Sequence, residues 1–325
     1  MPTIHYEGRD FSVRPGETVL DCLLRNSVAI PNSCKAGSCQ SCLVKGGGGP
    51  VPELAQRGLK DTLRAQGYFL ACSCRPIADI TVVPVADGQR TPARISRLEL
   101  LSRTILRVRL RAEAPFRYFA GQFVSVFRDD GLVRSYSLAS LPSENEMELH
   151  VRKIPGGAMS AWLHDKAQAG VRLWLQGPAG NCFYLPGNTG QPLLLAGAGT
   201  GLAPLYGIVR DALRQGHTGP VWLFQGAVTD GGLYLTTELE ELERAWANFH
   251  YVRAVLHGGN SGGETRPVEV GSLDDCILRR FTSFAGWKGY ICGDPPLVNS
   301  LRKKLFLAGM ASKAIYSEAF LPSAV

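Results

Sequence analysis

Apolar and polar positions change rhythm twice along the chain. Residues 3–6 and 10–13 alternate as two short strands about a turn at Gly8, and Thr18 stands as a helix N-cap ahead of Leu20, Leu23 and Leu24, whose spacing marks one buried helix face. A Cys- and Gly-rich loop is expected over residues 31–50 and a closing strand over residues 80–83, which makes a compact β-rich unit. Residues 84–94 mix Pro, Gly, Asp and Gln and read as a linker. Beyond it, residues 105–110, 121–127 and 148–151 read as strands of an antiparallel barrel or sandwich.

A second breaker cluster at residues 186–192 precedes the all-apolar residues 193–196, a strand of the kind a parallel sheet buries on both faces. The theme repeats at residues 221–224, 251–255 and 289–292, with helical stretches such as 236–249 between, so the last third is an α/β domain. The uncharged run 191–209 is long enough to span a membrane. Gly197, Gly199, Gly201, Gly207 and two prolines make it instead a buried strand, a glycine turn and a buried helix, and no membrane span is expected.

At 325 residues the chain fits several domains, and the breaks divide it at 1–88, 89–188 and 189–325. The formal charge of +7 comes from Lys and Arg spread along the chain, not gathered in a tract with aromatics. That argues against nucleic acid and for a mildly basic surface able to steer an acidic protein or a dinucleotide pyrophosphate. The first residues carry no basic segment or apolar run of a secretory signal, so a cytoplasmic protein is expected. Nine cysteines in such a compartment do not make a disulfide framework and need another reason.

Cys34, Cys39 and Cys42 have the spacing C-x4-C-x2-C, with Cys72 further on, the arrangement by which plant-type ferredoxins hold a [2Fe-2S] cluster. Ala36, Gly37, Ser38 and Ser41 keep the loop small enough for backbone N–H groups to reach the sulfurs. A structural zinc site is the rival, but zinc prefers paired C-x2–4-C knuckles and needs no loop of this length. Cys74 competes for the fourth position; Cys72 is preferred because Phe69, Leu70 and Ala71 run directly from an apolar segment into it.

The first ninety residues resemble a plant-type ferredoxin. Arg134-Ser135-Tyr136-Ser137, the glycines Gly156 and Gly157, Gly197-Ala198-Gly199-Thr200-Gly201, Cys292-Gly293-Asp294-Pro295 and the closing Glu318-Ala319-Phe320 follow in the order found in the ferredoxin–NADP reductase superfamily, which the rest of the chain resembles. The resemblance implies a multidomain α+β and α/β protein: a β-grasp ferredoxin domain, an antiparallel β-barrel FAD domain and a parallel-sheet α/β NAD domain. It implies FAD contacts from Arg134, Tyr136, Ser137, His150, Val151, Gly157, Met159, Ser160 and Phe320, with five residues following that last ring. It implies nicotinamide-cofactor contacts from Gly199, Thr200, Gly201, Gly293, Asp294 and Pro295, and catalytic roles for Ser137, Cys292 and Glu318.

After residues 221–225 comes Asp230 with no nearby Lys or Arg for a 2′-phosphate, so NADH is favoured over NADPH. The module order resembles the reductase components of multicomponent bacterial oxygenases, which implies electron flow from NADH to FAD to the cluster to a terminal oxygenase, Rieske or di-iron, docked weakly and transiently. A reductase feeding a deoxysugar dehydrase and a redox-sensing module without sustained turnover are the alternatives. The ferredoxin stretch up to Arg90 holds ten Lys or Arg against eight Asp or Glu, so docking relies less on acidic patches than in acidic ferredoxins.

Overall fold

The structure is a computed structural model and describes residues 1–59, 63–64, 66–84, 90–258 and 267–321. It holds three sheets, each with its own apolar core. The first comprises β1 (Thr3–Tyr6), β2 (Arg9–Ser12), β3 (Leu43–Gly48), β4 (Tyr68–Leu70) and β5 (Ile80–Pro84), in the order β2-β1-β5-β3-β4. Helix α1 (Val19–Arg25) starts at Thr18, whose hydroxyl accepts the Asp21 N–H at 3.1 Å, and buries Val19, Leu20, Cys22 and Leu23. Leu24 is only partly buried.

β3 corrects the expectation of a continuous loop over residues 31–50. Its glycines are there for space: a Cβ on Gly47 would sit 3.0 Å from the side chains of both Thr81 and Val83 on β5. The expected linker is shorter as well. Residues 85–89 lie outside the described residues, and by Thr91 the chain is in strand, with Pro92 opposite Trp174.

The second sheet is antiparallel throughout, with β6 (Thr91–Leu100), β7 (Ile105–Ala112), β8 (Phe123–Phe127), β9 (Val133–Ser137), β10 (Met147–Arg152) and β11 (Arg172–Ala179) in the order β10-β7-β6-β11-β8-β9. A bridge between Leu138 and Leu149 draws the two ends together into a half-closed barrel. Strands β6, β9 and β11 are additional to those expected from the sequence pattern; in β6, Arg94, Arg97 and Glu99 break up the apolar positions. Helix α2 (Ala158–Asp165) follows β10, with Gly157 as its N-cap, so Ala158, Met159 and Ser160 are already helical.

The third sheet is wholly parallel: β12 (Leu193–Ala198), β13 (Val221–Ala227), β14 (Phe249–Val255), β15 (Glu269–Val270), β16 (Lys288–Gly293) and β17 (Ile315–Ala319), ordered β15-β14-β13-β12-β16-β17. Its helices are α3 (Leu202–Arg214), α4 (Thr236–Ala245), α5 (Leu273–Arg280) and α6 (Pro295–Leu307). The run 191–209 is indeed strand, glycine turn and helix. Helix α4 ends four residues before the expected Phe249, which opens β14 instead, paired with Val221. No helix among the described residues is long and apolar enough to cross a membrane.

Candidate cluster and cofactor sites

The cysteine loop between α1 and β3 and Cys72 just after β4 bring four sulfurs together as two pairs. The Cys39 N–H points at the Cys34 sulfur at 3.4 Å, and the Cys34 N–H at the Cys39 sulfur at 3.5 Å. Ala36 adds a third amide to Cys34 at 3.3 Å, and Ser41 Oγ lies 3.0 Å from Cys39 Sγ. The Cys42 thiol hydrogen-bonds the Cys72 sulfur, and the Gly37 N–H also reaches Cys72. A side chain on Gly37 would collide with Ser73 Oγ at 2.8 Å, so the loop closes over Cys72 only with glycine there.

In each pair one thiol gives up its proton more readily. The hydrogen bond from Cys34 lowers Cys39 to about 5 while Cys34 itself is raised; that from Cys42 lowers Cys72 to about 6 while Cys42 is raised. Metals bind thiolates, and two thiolate pairs with amide donors suit two bridged irons. Cys74 is fully buried in the ferredoxin core, its carbonyl accepting the Val19 N–H at 2.8 Å, and its thiol is pushed up to about 12 by burial alone.

On the barrel, Arg134 donates to its neighbour's carbonyl, Val133 O, at 2.7 Å and stays half-exposed. Tyr136 packs against the barrel's apolar cluster, where burial raises its hydroxyl pKa, and Ser137 is buried at the end of β9. At the start of α2 the N–H groups of Ala158, Met159 and Ser160 precede the first intrahelical bond, Ala161 N–H to Gly157 O. They form a fitting seat for a pyrophosphate. A Cβ on Gly157 would fall 2.6 Å from Ser160 Oγ, which accepts the Ile154 N–H and so braces this turn.

Three of the residues expected at the flavin have buried side chains. Met159 and Val151 turn their side chains into the barrel core, which leaves their backbone alone to face a ligand. His150 is buried, and both ring nitrogens are engaged: Nε2 lies 2.9 Å from Glu148 Oε1 and Nδ1 lies 3.0 Å from the Tyr234 hydroxyl. Burial pushes the Glu148 carboxyl up, but His150, Arg107 and Arg109 outweigh it and hold it at about 2. Burial lowers His150. With Glu148 ionised, Nε2 carries the proton and Nδ1 accepts from Tyr234. The His150 side chain therefore joins the barrel to the third domain through Tyr234.

The glycine turn between β12 and α3 lies directly against β16. A Cβ on Gly201 would meet Cys292 O at 2.2 Å, and one on Gly197 would meet it at 2.8 Å. Gly199 has φ +54°, and its open side faces Arg152 of the barrel, whose Nη1 would lie 3.6 Å from a Cβ there. Pattern reading missed Arg152 as a phosphate-binding candidate; the signal was its basic side chain at the end of β10. Asp294 caps α6 by accepting the Leu297 N–H at 3.0 Å, with Pro295 as the first helical residue.

Cys292 and Glu318 are register partners on β16 and β17. Cys292 Sγ lies 3.6 Å from Cys182 Sγ, a second cysteine to which the sequence pattern assigned no role. Glu318 Oε1 is sealed from solvent without a hydrogen-bond partner, and burial pushes the carboxyl up to about 8, only partly offset by the Cys182 N–H. A largely protonated carboxyl with one buried oxygen unpartnered, beside a thiol, suits a site completed by a ligand. Phe320 packs partly buried on the third domain's core, its N–H donating to Gly293 O at 2.7 Å. The residues after Leu321 lie outside those described.

Comparisons with known proteins agree domain by domain. Residues 3–76 match the 2Fe-2S iron-sulfur cluster binding domain, residues 92–184 the oxidoreductase FAD-binding domain and residues 195–303 the oxidoreductase NAD-binding domain. The chain is 32% identical over 317 residues, 95% of each protein, to the ferredoxin–NAD(P)+ reductase component of the naphthalene 1,2-dioxygenase system of Pseudomonas putida. It is 34% identical over 337 residues, 97% of each, to the reductase subunit of an aromatic O-demethylase from Amycolatopsis. A crystal structure of an Amycolatopsis cytochrome P450 reductase superposes over 100% of both chains with a TM-score of 0.70 and 33% identity.

Proposed function

The chain belongs to the iron–sulfur flavoprotein reductases of multicomponent oxygenase systems, and from that premise we propose that it draws electrons from NADH and delivers them singly to a separate terminal oxygenase component. When bound, FAD accepts a hydride from the nicotinamide and the [2Fe-2S] cluster carries one electron at a time.

The chain's own residues bind, orient and exclude water. Arg134 and the first amides of α2 hold the flavin pyrophosphate, and Tyr136 and Ser137 line its ring. The Gly199–Gly201 turn and Arg152 hold the nicotinamide cofactor's pyrophosphate, and Cys292 and Glu318 close the hydride-transfer site. Cys34, Cys39, Cys42 and Cys72 bind the irons. Past β13 the chain offers Asp230 and no base, which supports NADH over NADPH. The observation that carries the reading is the pair of thiol pairs set on a loop that touches the flavin barrel.

The test is an anaerobic titration with NADH and, separately, NADPH, following the visible spectrum and the reduced-cluster EPR signal. NADH bleaches flavin and cluster together, and NADPH does so sluggishly; a flavin that bleaches with no cluster signal refutes the relay. Cys72→Ser loses the cluster absorption and Cys74→Ser keeps it. The reverse result would make Cys74 the fourth ligand. The partner docks on the exposed rim of the loop at Lys35, Ala36 and Ser38. A small interface of the electron-transfer kind does not survive gel filtration. The setting is cytoplasmic.

A further inference from the structure

The outer face of β8 carries a polar row that points at the cluster loop. Along β8, Val124 and Val126 face the barrel core, which leaves Phe123, Ser125 and Phe127 on the other face. Yet Ser125 and Phe127 are each 1% exposed, so that face is covered. Ser125 Oγ donates to Cys39 O at 2.9 Å, and Gln176 Nε2 donates to Gln40 O at 3.2 Å. Ser125 and Gln176 are cross-strand partners on β8 and β11, so adjacent donors engage adjacent carbonyls.

The row continues away from the loop. Ser135 on β9 is the register partner of Ser125, with Oγ atoms 3.2 Å apart. Because Ser125 spends its proton on Cys39 O, Ser135 is the donor between them. Ser135 lies between Arg134 and Tyr136 of the flavin motif. On the ferredoxin side Gln40 holds φ +58°, an uncommon value for a side-chain-bearing residue. Its side chain is anchored to Gly58 O at 3.2 Å, and its carbonyl also accepts the Leu43 N–H at 3.1 Å.

We propose that Ser135, Ser125 and Gln176 form a clamp that fixes the Cys39 end of the cluster loop against the flavin motif, making Cys39 the point at which electrons enter the cluster. The inference rests on the relay reading. Each transfer takes one electron from reduced flavin and turns one ferric iron ferrous; two successive transfers return the flavin to its oxidised state and release to solvent the one proton that arrived with the hydride. Ser125 and Gln176 are positioning residues: they hold the carbonyl of a sulfur ligand and that of the next residue, and touch neither iron nor flavin chemistry. Tunnelling decays steeply with separation, so losing a clamp bond slows entry without altering either centre.

The experiment uses full-length holoprotein in anaerobic stopped flow, with Ser125→Ala, the uncharged Gln176→Met, the double variant, and Ser125→Thr to restore the hydroxyl. Flavin bleaching by NADH and the cluster's midpoint potential stay at wild-type values. Cluster reduction slows about fivefold for each lost hydrogen bond, the loss in docked population expected of one such bond. Spin–spin coupling between flavin and cluster in half-reduced frozen samples weakens in parallel, and Ser125→Thr recovers both. A double variant that fills its cluster at the wild-type rate overturns the clamp, as does a shifted cluster potential that alone accounts for the slowing. A wild-type protein whose cluster never fills sinks the relay reading instead, which separates the two failures.

Discussion

The barrel meets its two neighbours in different ways. Toward the NAD domain it presents a buried ionic network: Arg107 bonds Glu148 at 3.1 Å and reaches Glu238 on α4 at 3.6 Å, Glu148 holds His150, and His150 holds Tyr234. Arg210 of α3 adds bonds to Ala139 O and Glu144, both at 2.7 Å, and a Cβ on Gly207 would lie 3.2 Å from Ala139 O. Toward the ferredoxin domain the contacts from Ser125 and Gln176 are neutral hydrogen bonds to backbone carbonyls. Hydride transfer needs two rings in van der Waals contact at a fixed angle, whereas a single electron tunnels across a gap. The seam that must be stiff is built from charges that cannot be separated cheaply, and the other from bonds that can open.

The largest way to break this contrast is Glu148→Ala. It takes the carboxylate from Arg109 and from the buried imidazole and leaves Arg107 only its longer contacts to Glu99 and Glu238, and removing one partner of a buried pair costs about 3–5 kcal/mol. Urea denaturation followed by flavin fluorescence shows a lower midpoint, with flavin reduction by NADH impaired well below it. Loss of under 1 kcal/mol would mean that the network is not what joins these domains.

The two seams were also unequally legible in the sequence. The sheet strands of the third domain stand out as apolar runs because both faces are buried, and the cluster motif stands out because four thiolates must come from fixed spacings. The glycines of β3 hid a strand, since their reason, room for Thr81 and Val83, lies on another strand. His150 sits in a flavin motif by position, yet its partner Tyr234 is 84 residues away, and no local pattern encodes that hydrogen bond. Ser125 shows the same limit: one polar residue in Phe-Val-Ser-Val-Phe signals something, but only the fold supplies Cys39, 86 residues earlier. Cys182 likewise gains meaning only when β16 brings Cys292 beside it.

Glu318→Gln gives a smaller and pH-dependent effect on the stiff seam. Burial raises the native carboxyl from about 4.5 to about 8, so between those values the folded protein holds a proton that the unfolded chain has released. Stability contributed by this group is complete below the lower value and falls as pH rises through the window. Glutamine cannot ionise, so the variant's Tm declines less from pH 5 to pH 8.5, with a difference of about 1–3 kcal/mol at the alkaline end, the cost of an unpaired buried group. Parallel pH curves would mean that Glu318 finds a partner on that side of the site.

The smallest effect sharpens the comparison most. Tyr234→Phe deletes one hydroxyl and leaves His150 Nδ1 without its donor; Gln225 still braces residue 234 through its backbone, Nε2 to O at 3.0 Å. One neutral hydrogen bond is worth about 1 kcal/mol, so the denaturation midpoint drops modestly. The charged members of the network stay paired, which keeps the NAD domain in place and holds NADH-to-flavin and flavin-to-cluster rates near wild type. Ser125→Ala removes a bond of the same kind from the other seam, and there the flavin-to-cluster rate drops while the midpoint barely moves. If the two variants instead behave alike, in rate or in stability, the seams are not divided between a rigid hydride joint and an opening electron joint, and the difference in their chemistry has another cause.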